Sequence, residues 1–291
     1  MKLATIAWNG SSSAAYVVDG SAIPIRALPG REDAFDVTSL IARPLEGAEN
    51  AILLRSKAAD EPVKWLPPIL RPPKNVLCVG KNYVEHAKEG AKAEGLAKAE
   101  IPSAPIWFSK PHTSLIGARG AIVHDASFTS ALDYEAELAV VIGRPCRAVS
   151  PEHALEYVFG YTILNDVTAR DVQQGRKQWF RGKAADTYAP CGPWIVTADE
   201  IPDPQSLDVR TTVNGGVRQN DTTANMIFDV RSLIADLSEG ITLEPGDIIA
   251  TGTPAGVAWG MDEPKYLLPG DEIVVEIERI GKLHNTVTAR A

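Results

Sequence analysis

Apolar positions along the chain fall mostly into short runs and two-residue alternations, broken by Gly, Pro, Asn and Asp. Lys2–Trp8 and Ala14–Asp19 read as strands, with turns at Asn9-Gly10 and Asp19-Gly20. Further strands are expected at Asn75–Val79, closed by Gly80, at Leu138–Ile142 and at Tyr161–Leu164. Val209–Val213 and Val217–Gln219 flank Asn214-Gly215, a hairpin pair because both residues tolerate positive φ. Pro245-Gly246-Asp247 and Pro269-Gly270-Asp271 each suit a type II turn feeding a run of Ile and Val.

Helical spacing is rarer. Ile227, Val230, Leu233, Ile234 and Leu237 recur at that spacing, with Gly240 as the stop. Ser150-Pro151 predicts a helix over 151–159 that ends at Gly160. Tyr83–Lys98 favours helix by its Ala, Glu and Lys content, yet offers little apolar face, so a weakly held, lid-like helix is expected. Strands outnumber helices without strict βαβ alternation, which predicts a β-rich α+β fold. The proline-rich stretch Leu66–Pro73 reads as an extended linker. It separates a small N-terminal β-rich module, 1–70, from a larger domain, 71–291.

The 291 residues, 45% hydrophobic and 23% charged, exclude a disordered chain. A net charge of −8 argues against nucleic-acid and anionic-membrane partners, so a small anionic ligand needs a local cluster of cations. Met1–Gly10 has one lysine and no long apolar core, so no signal peptide is expected. No apolar run approaches the roughly 18–20 residues of a membrane span. Cys78, Cys146 and Cys191 lack zinc-site spacing and make a disulfide framework improbable, which leaves a reducing cytoplasm as the expectation.

The most informative stretch is Asp133-Tyr134-Glu135-Ala136-Glu137-Leu138. On a strand, Glu135 and Glu137 share a face roughly 7 Å apart. Side by side, two carboxylates raise each other's pKa unless a cation holds them. Asp166, at the end of the Tyr161–Leu164 strand, is the candidate third ligand, and an all-carboxylate set selects Mg²⁺ or Mn²⁺ over zinc. A solvated edge strand and an N-capping Asp166 are the plain alternatives. His86 and Glu89 lie three apart, neighbours on a helix face about 5–6 Å apart at Cβ, a pairing that suits a general base and also an exposed polar pair. His112, His124, His153 and His284 read as surface or loop residues, Cys191 as a small buried filler, and Asp133 as a supporting or solvent-facing group.

Taken together, Gly80-Lys81-Asn82-Tyr83…His86…Glu89, Asp133-Tyr134-Glu135-Ala136-Glu137-Leu138, Asn165-Asp166-Val167-Thr168-Ala169-Arg170-Asp171, Gly182-Lys183 and Thr251-Gly252-Thr253-Pro254 resemble the fumarylacetoacetate hydrolase family, in order, over roughly residues 74–290. The resemblance implies a mixed β-sandwich roll as catalytic domain, usually in a homodimer. It implies Glu135, Glu137 and Asp166 as metal ligands, and His86 with Glu89 as a water-activating dyad. Lys183 would stabilise the oxyanion or enolate, and Arg170, Gln173 and Thr253 would hold the substrate. The expected activity is hydrolysis of a carbon–carbon bond in an acylpyruvate or diketo acid, a small anionic 2-oxo acid, through a metal-bound enolate. Alternatives on the same site are an oxaloacetate-type decarboxylase, an unsaturated diacid isomerase and a ureidoglycolate-type lyase. A non-enzymatic binding protein with a structural Ca²⁺ is the alternative of another class, and it leaves His86, Glu89 and Lys183 without a use.

Overall fold

The computed structural model describes residues 1–45 and 63–290. The first strands are β1 (Lys2–Trp8), β2 (Ser11–Val18), β3 (Ser21–Pro24), β4 (Trp65–Leu66), β5 (Val76–Gly80) and β6 (Ile106–Lys110). There follow β7 (Leu115–Ile116), β8 (Ala121–His124), β9 (Leu132–Asp133), β10 (Ala136–Ile142), β11 (Val158–Asn165) and β12 (Thr168–Ala169). The last are β13 (Ala189–Thr197), β14 (Asp208–Val213), β15 (Gly216–Thr222), β16 (Ile248–Ala250), β17 (Glu272–Ile277) and β18 (Gly281–Ala289). The main sheet runs β3-β2-β1-β13-β11-β10-β16-β5-β6, with β4 beside β1 and β7 beside β13. A second sheet runs β15-β14-β17-β18-β8, and β9 pairs with β12. Parallel pairings of β5 with β16, β7 with β13 and β8 with β18 make the sheets mixed, and the β-rich α+β expectation holds.

Strand β10 explains the layering. All seven of its residues are buried, because both faces of the main sheet are covered. Leu138, Val140 and Ile142 point into one core with Val209, Val275 and Leu283 of the second sheet. Ala139 and Val141 point the other way, into a core with Cys78, Leu164 and Ile195 and with Leu3, Ala14 and Ile23 of the first strands. Two-sided burial is why the sequence there is an unbroken apolar run rather than an alternation. Each fully buried Val, Leu or Ile contributes about 1.5–3 kcal/mol.

The first 45 residues extend this same sheet. Strand β1 pairs antiparallel with β13, Lys2 opposite Val196 and Leu3 opposite Ile195. The proline-rich stretch is tied back to it, since the Thr5 hydroxyl donates to the Pro68 carbonyl at 2.6 Å.

Most expected turns and the main helix are present. Asn214 (φ 51°) and Gly215 (φ 77°) form the β14–β15 turn, and the two Pro-Gly turns precede β16 and β17. In the Val230–Gly240 helix, Val230, Leu233, Ile234 and Leu237 are buried, and Asp229 caps its start by accepting from the Ser232 amide at 2.7 Å. The Val84–Ala93 helix is shorter than its sequence predicts. The helix expected over 151–159 is a correction: Pro151–Tyr157 is a 3₁₀ turn, and Val158 already belongs to β11. Gly160 therefore stops nothing. It sits within β11 opposite Val141 of β10, and a Cβ there would come 2.3 Å from the Val196 carbonyl of β13. Among the described residues no helix is long and apolar enough to cross a membrane.

Gly160→Val forces β11 and β13 apart and should destabilise the protein by roughly 2–3 kcal/mol, read from the urea midpoint at unchanged slope. A loss below about 0.5 kcal/mol would show that the sheet yields at that point.

Candidate active site

The alternation that sorts the two cores also builds the site. Glu137 shares the face of Ala139 and Val141, and Asp166 follows β11 with the parity of Leu164. The Asp166 amide donates to the Glu135 carbonyl at 2.8 Å, locking the two chain ends together. One carboxylate oxygen from each of Glu135, Glu137 and Asp166 lies within 4.8 Å of the other two, and all three side chains are buried. The edge-strand alternative fails because β10 is central, and the capping alternative fails because the next helix, Arg170–Gln174, takes Ala169 as its N-cap.

Three buried cations answer these carboxylates. The Lys183 ammonium bridges Glu135 Oε2 at 2.8 Å and Asp166 Oδ2 at 2.7 Å. Lys110, at the end of β6 and on the same face, donates to Asp166 Oδ1 at 2.6 Å, to the Val167 carbonyl at 3.1 Å and to the Lys183 carbonyl. Arg170 reaches Asp133 Oδ2 from Nε at 2.8 Å and Glu135 Oε1 from Nη2 at 2.7 Å. Asp133 also accepts from the amides of Ala258 and Trp259 at 2.9 and 3.0 Å, so the same pair anchors the following turn.

Four buried carboxylates thus face three cations, one negative charge in excess. Glu137 bears that excess. Burial and then the neighbouring Asp166 and Glu135 push its carboxyl well above the usual range, while it accepts a hydrogen bond from the Gly252 amide at 2.8 Å. Burial acts on Glu135 in the same direction, but Lys183 and Arg170 outweigh it and hold that carboxyl low. Lys183 is raised despite its burial by Asp166 and Glu135, whereas burial prevails at Lys110 and lowers it. A dication turns the one-charge deficit into a one-charge surplus, which a single ligand carboxylate neutralises. Hard oxygen donors in a buried, electron-rich cluster fit Mg²⁺ or Mn²⁺.

Around this floor lies a pocket lined by His86, Gln173, Lys183, Thr253 and the two glutamates. Arg170 joins the lining, while Asp166 stands behind it between the two lysines. The Thr253 hydroxyl accepts from Gln219 Nε2 at 2.7 Å, which leaves its own proton free to donate. The side chain of Gln219 is itself fixed by the Ala136 amide and the Thr211 hydroxyl.

His86 is buried on the Val84–Ala93 helix and its Nδ1 has no hydrogen-bond partner among the described residues. Glu89 faces it at 3.7 Å, beyond hydrogen-bond distance. Both Glu89 oxygens instead accept from the Gly256 amide, at 2.8 and 3.0 Å, so Glu89 docks the helix on the 256–260 turn. Gly256 carries φ 105°, and a Cβ there would meet the Arg218 carbonyl at 2.1 Å.

All nine expected site residues therefore gather at one place, with Glu89 one step out. Lys110 and Gln219 are additions to the sequence reading, and of the two roles expected for Asp133 the buried, supporting one is observed. Lys110 had one visible signal, a lone lysine closing the strand Ile106–Lys110. One expectation about another residue is corrected. His124 is buried, with Nε2 3.0 Å from the Thr129 carbonyl, rather than a surface residue. Cys191 is a buried filler as expected, its thiol pushed up to about 12 by burial.

Residues 75–288 match the family model described as "Fumarylacetoacetate (FAA) hydrolase C-terminal". Oxaloacetate tautomerase YisK of Bacillus subtilis is 47% identical over 225 residues, 77% of this chain and 73% of that protein. A fumarylacetoacetate hydrolase from Exiguobacterium antarcticum matches in structure with a TM-score of 0.86 at 42% identity, over 100% of both chains. The maleylpyruvate hydrolase of Sphingobium sp. SYK-6, solved with manganese(II) and pyruvate, matches with a TM-score of 0.79 at 31% identity, again over 100% of both chains. Sequence, fold and the order of the motifs agree: the chain belongs to the fumarylacetoacetate hydrolase family.

Proposed function

We propose that the protein is a divalent-metal-dependent hydrolase that cleaves a carbon–carbon bond of a small acylpyruvate or diketo acid by way of an enolate. One observation carries this reading: three buried carboxylates converge beside a pocket that His86 and Lys183 also line. Glu135, Glu137 and Asp166 would hold Mg²⁺ or Mn²⁺, and manganese with pyruvate in the maleylpyruvate hydrolase supports the choice. The bound ion supplies Lewis-acid polarisation of the 2-oxo group and stabilises enolate charge.

The protein's own groups do the rest. Thr253 and Gln173 donate to the substrate's carboxylate and oxo oxygens, oriented by Gln219 and by Arg170. His86, whose Nδ1 has no hydrogen-bond partner among the described residues, takes a proton from water. The resulting hydroxide adds to the distal carbonyl, and the carbon–carbon bond breaks with its electron pair left on the 2-oxo fragment as enolate. Protonated His86 returns its proton to that carbon, giving a 2-oxo acid and a carboxylic acid. Lys183 offsets the negative charge that develops beside it.

A second reading has its own support in the 47% identity to an oxaloacetate tautomerase. There His86 would move a proton between C3 and the enol oxygen of oxaloacetate, with no carbon–carbon bond broken. Assaying acetylpyruvate, a longer diketo acid and oxaloacetate with Mg²⁺ and with Mn²⁺ separates the two. Carboxylate release from the acylpyruvates is expected. Enol–keto exchange of oxaloacetate without any cleavage would replace the hydrolase reading by the tautomerase one.

Glu137→Gln reproduces the protonated side chain, so it should keep Tm within about 2 °C while Mn²⁺ binding and every activity disappear. Retained activity would remove Glu137 from the ligand set. His86→Ala should keep Mn²⁺ binding and slow hydrolysis about 10²–10⁴-fold, and a loss under about tenfold would exclude His86 as the base. Metal affinity should also depend on pH. Since the Glu137 carboxyl is raised, it holds a proton that the ion must displace, and affinity should climb as pH rises from the ordinary carboxylate value of 4.5. Calorimetry in buffers of different ionisation enthalpy should register proton release, and a pH-independent affinity would contradict this.

A further inference from the structure

The cations that line the pocket are of two kinds. Lys183 and Arg170 are committed to carboxylates of the floor. Lys81 is not: its half-buried side chain lines the same pocket and has no hydrogen-bond or ion-pair partner among the described residues. Glu94, the lining carboxylate outside the buried cluster, makes no ion pair with it.

The backbone beneath this free cation is built and held. Lys81 has φ 55°, a left-handed conformation that costs a side-chain-bearing residue free energy and persists only where its surroundings impose it. Asn82 imposes it from one side. Its Nδ2 donates to the Phe228 and Thr251 carbonyls at 2.9 and 2.8 Å, and its Oδ1 accepts from the Phe228 amide at 2.8 Å. Gly80 closes the other side, pressed under Trp179 so tightly that a Cβ would lie 2.2 Å from the ring. Trp179 meets Phe108 edge to face at 5.7 Å, which gives the pocket an apolar wall beside Lys81.

Charge balance says what the free cation is for. With a dication on the three carboxylates, the floor carries one surplus positive charge, enough for the carboxylate at the 2-oxo end of a substrate. A second anionic group needs a cation of its own. The geometry points to Lys81 as the residue that binds a second carboxylate at the far end of the substrate, so that the site selects 2-oxo diacids over 2-oxo acids ending in an alkyl group. This rests on reading the three-carboxylate cluster as the metal site.

The test uses the full-length, Mn²⁺-loaded protein and calorimetric binding of three compounds at a pH where turnover is quenched by working at low temperature. Oxalate reports the metal site, acetylpyruvate a single carboxylate, and succinylpyruvate a second, distal carboxylate. The wild type should prefer succinylpyruvate to acetylpyruvate by about tenfold, the effect of one well-placed charge-assisted hydrogen bond. Lys81→Gln should collapse that ratio to near one, and Lys81→Arg should restore most of it, while oxalate binding in both variants reports an intact floor. Oxalate bound normally with no preference for succinylpyruvate, or with a preference that Lys81→Gln leaves in place, overturns the assignment of Lys81 alone. Failure of the wild type to bind oxalate overturns the metal-site reading and this inference with it.

Discussion

A lattice of buried charge governs the structure of this protein. Four carboxylates and three cations are removed from water at the end of the main sheet, and each is tolerable only while its partners stay within hydrogen-bond distance. Stripping one charge of its partner in such surroundings costs several kcal/mol, far more than an intact buried pair contributes. The lattice is therefore a constraint on the fold more than a source of its stability. Strands β6, β10 and β11 and the short helix that carries Lys183 must arrive together, since Lys110, Glu137, Asp166 and Lys183 come from four separate segments. Two-sided burial of β10 supplies the free energy that the charges do not.

Much of this was legible in the chain. The two-residue period of a strand puts Glu135 and Glu137 on one face whatever the fold, and a hard-oxygen donor set follows from residue types alone. The hairpin at Asn214-Gly215 and the apolar stripe of the Val230–Gly240 helix were equally plain, because their signals are local. The failures have a common cause. Lys110 is 56 residues from Asp166 in sequence and Gln219 is 83 from Ala136, so no spacing rule links them. Gly160 looked like a helix stop since its true constraint, the Val196 carbonyl, belongs to a strand not yet placed. Spacing also overstated the His86–Glu89 pair. Three residues apart on a helix makes them neighbours, but the Gly256 amide, from a distant turn, competes for the same carboxylate and takes it.

That competition couples the helix to the pocket. With a short apolar face, the Val84–Ala93 helix is held by specific contacts, Glu89 on Gly256 and Lys92 on Asp262 at 2.5 Å. The turn it grips is the one whose Ala258 and Trp259 amides bind Asp133, the partner of Arg170. One chain of contacts thus runs from the helix that carries His86 to the charged floor.

The floor and the walls of the pocket come from different kinds of structure. Glu135, Glu137 and Asp166 sit on or beside the central strands β10 and β11, whereas Lys81, Glu94 and Trp259 stand on turns and helix ends. Such walls can change residue type at smaller structural cost than the floor, because their side chains hold none of its buried charge.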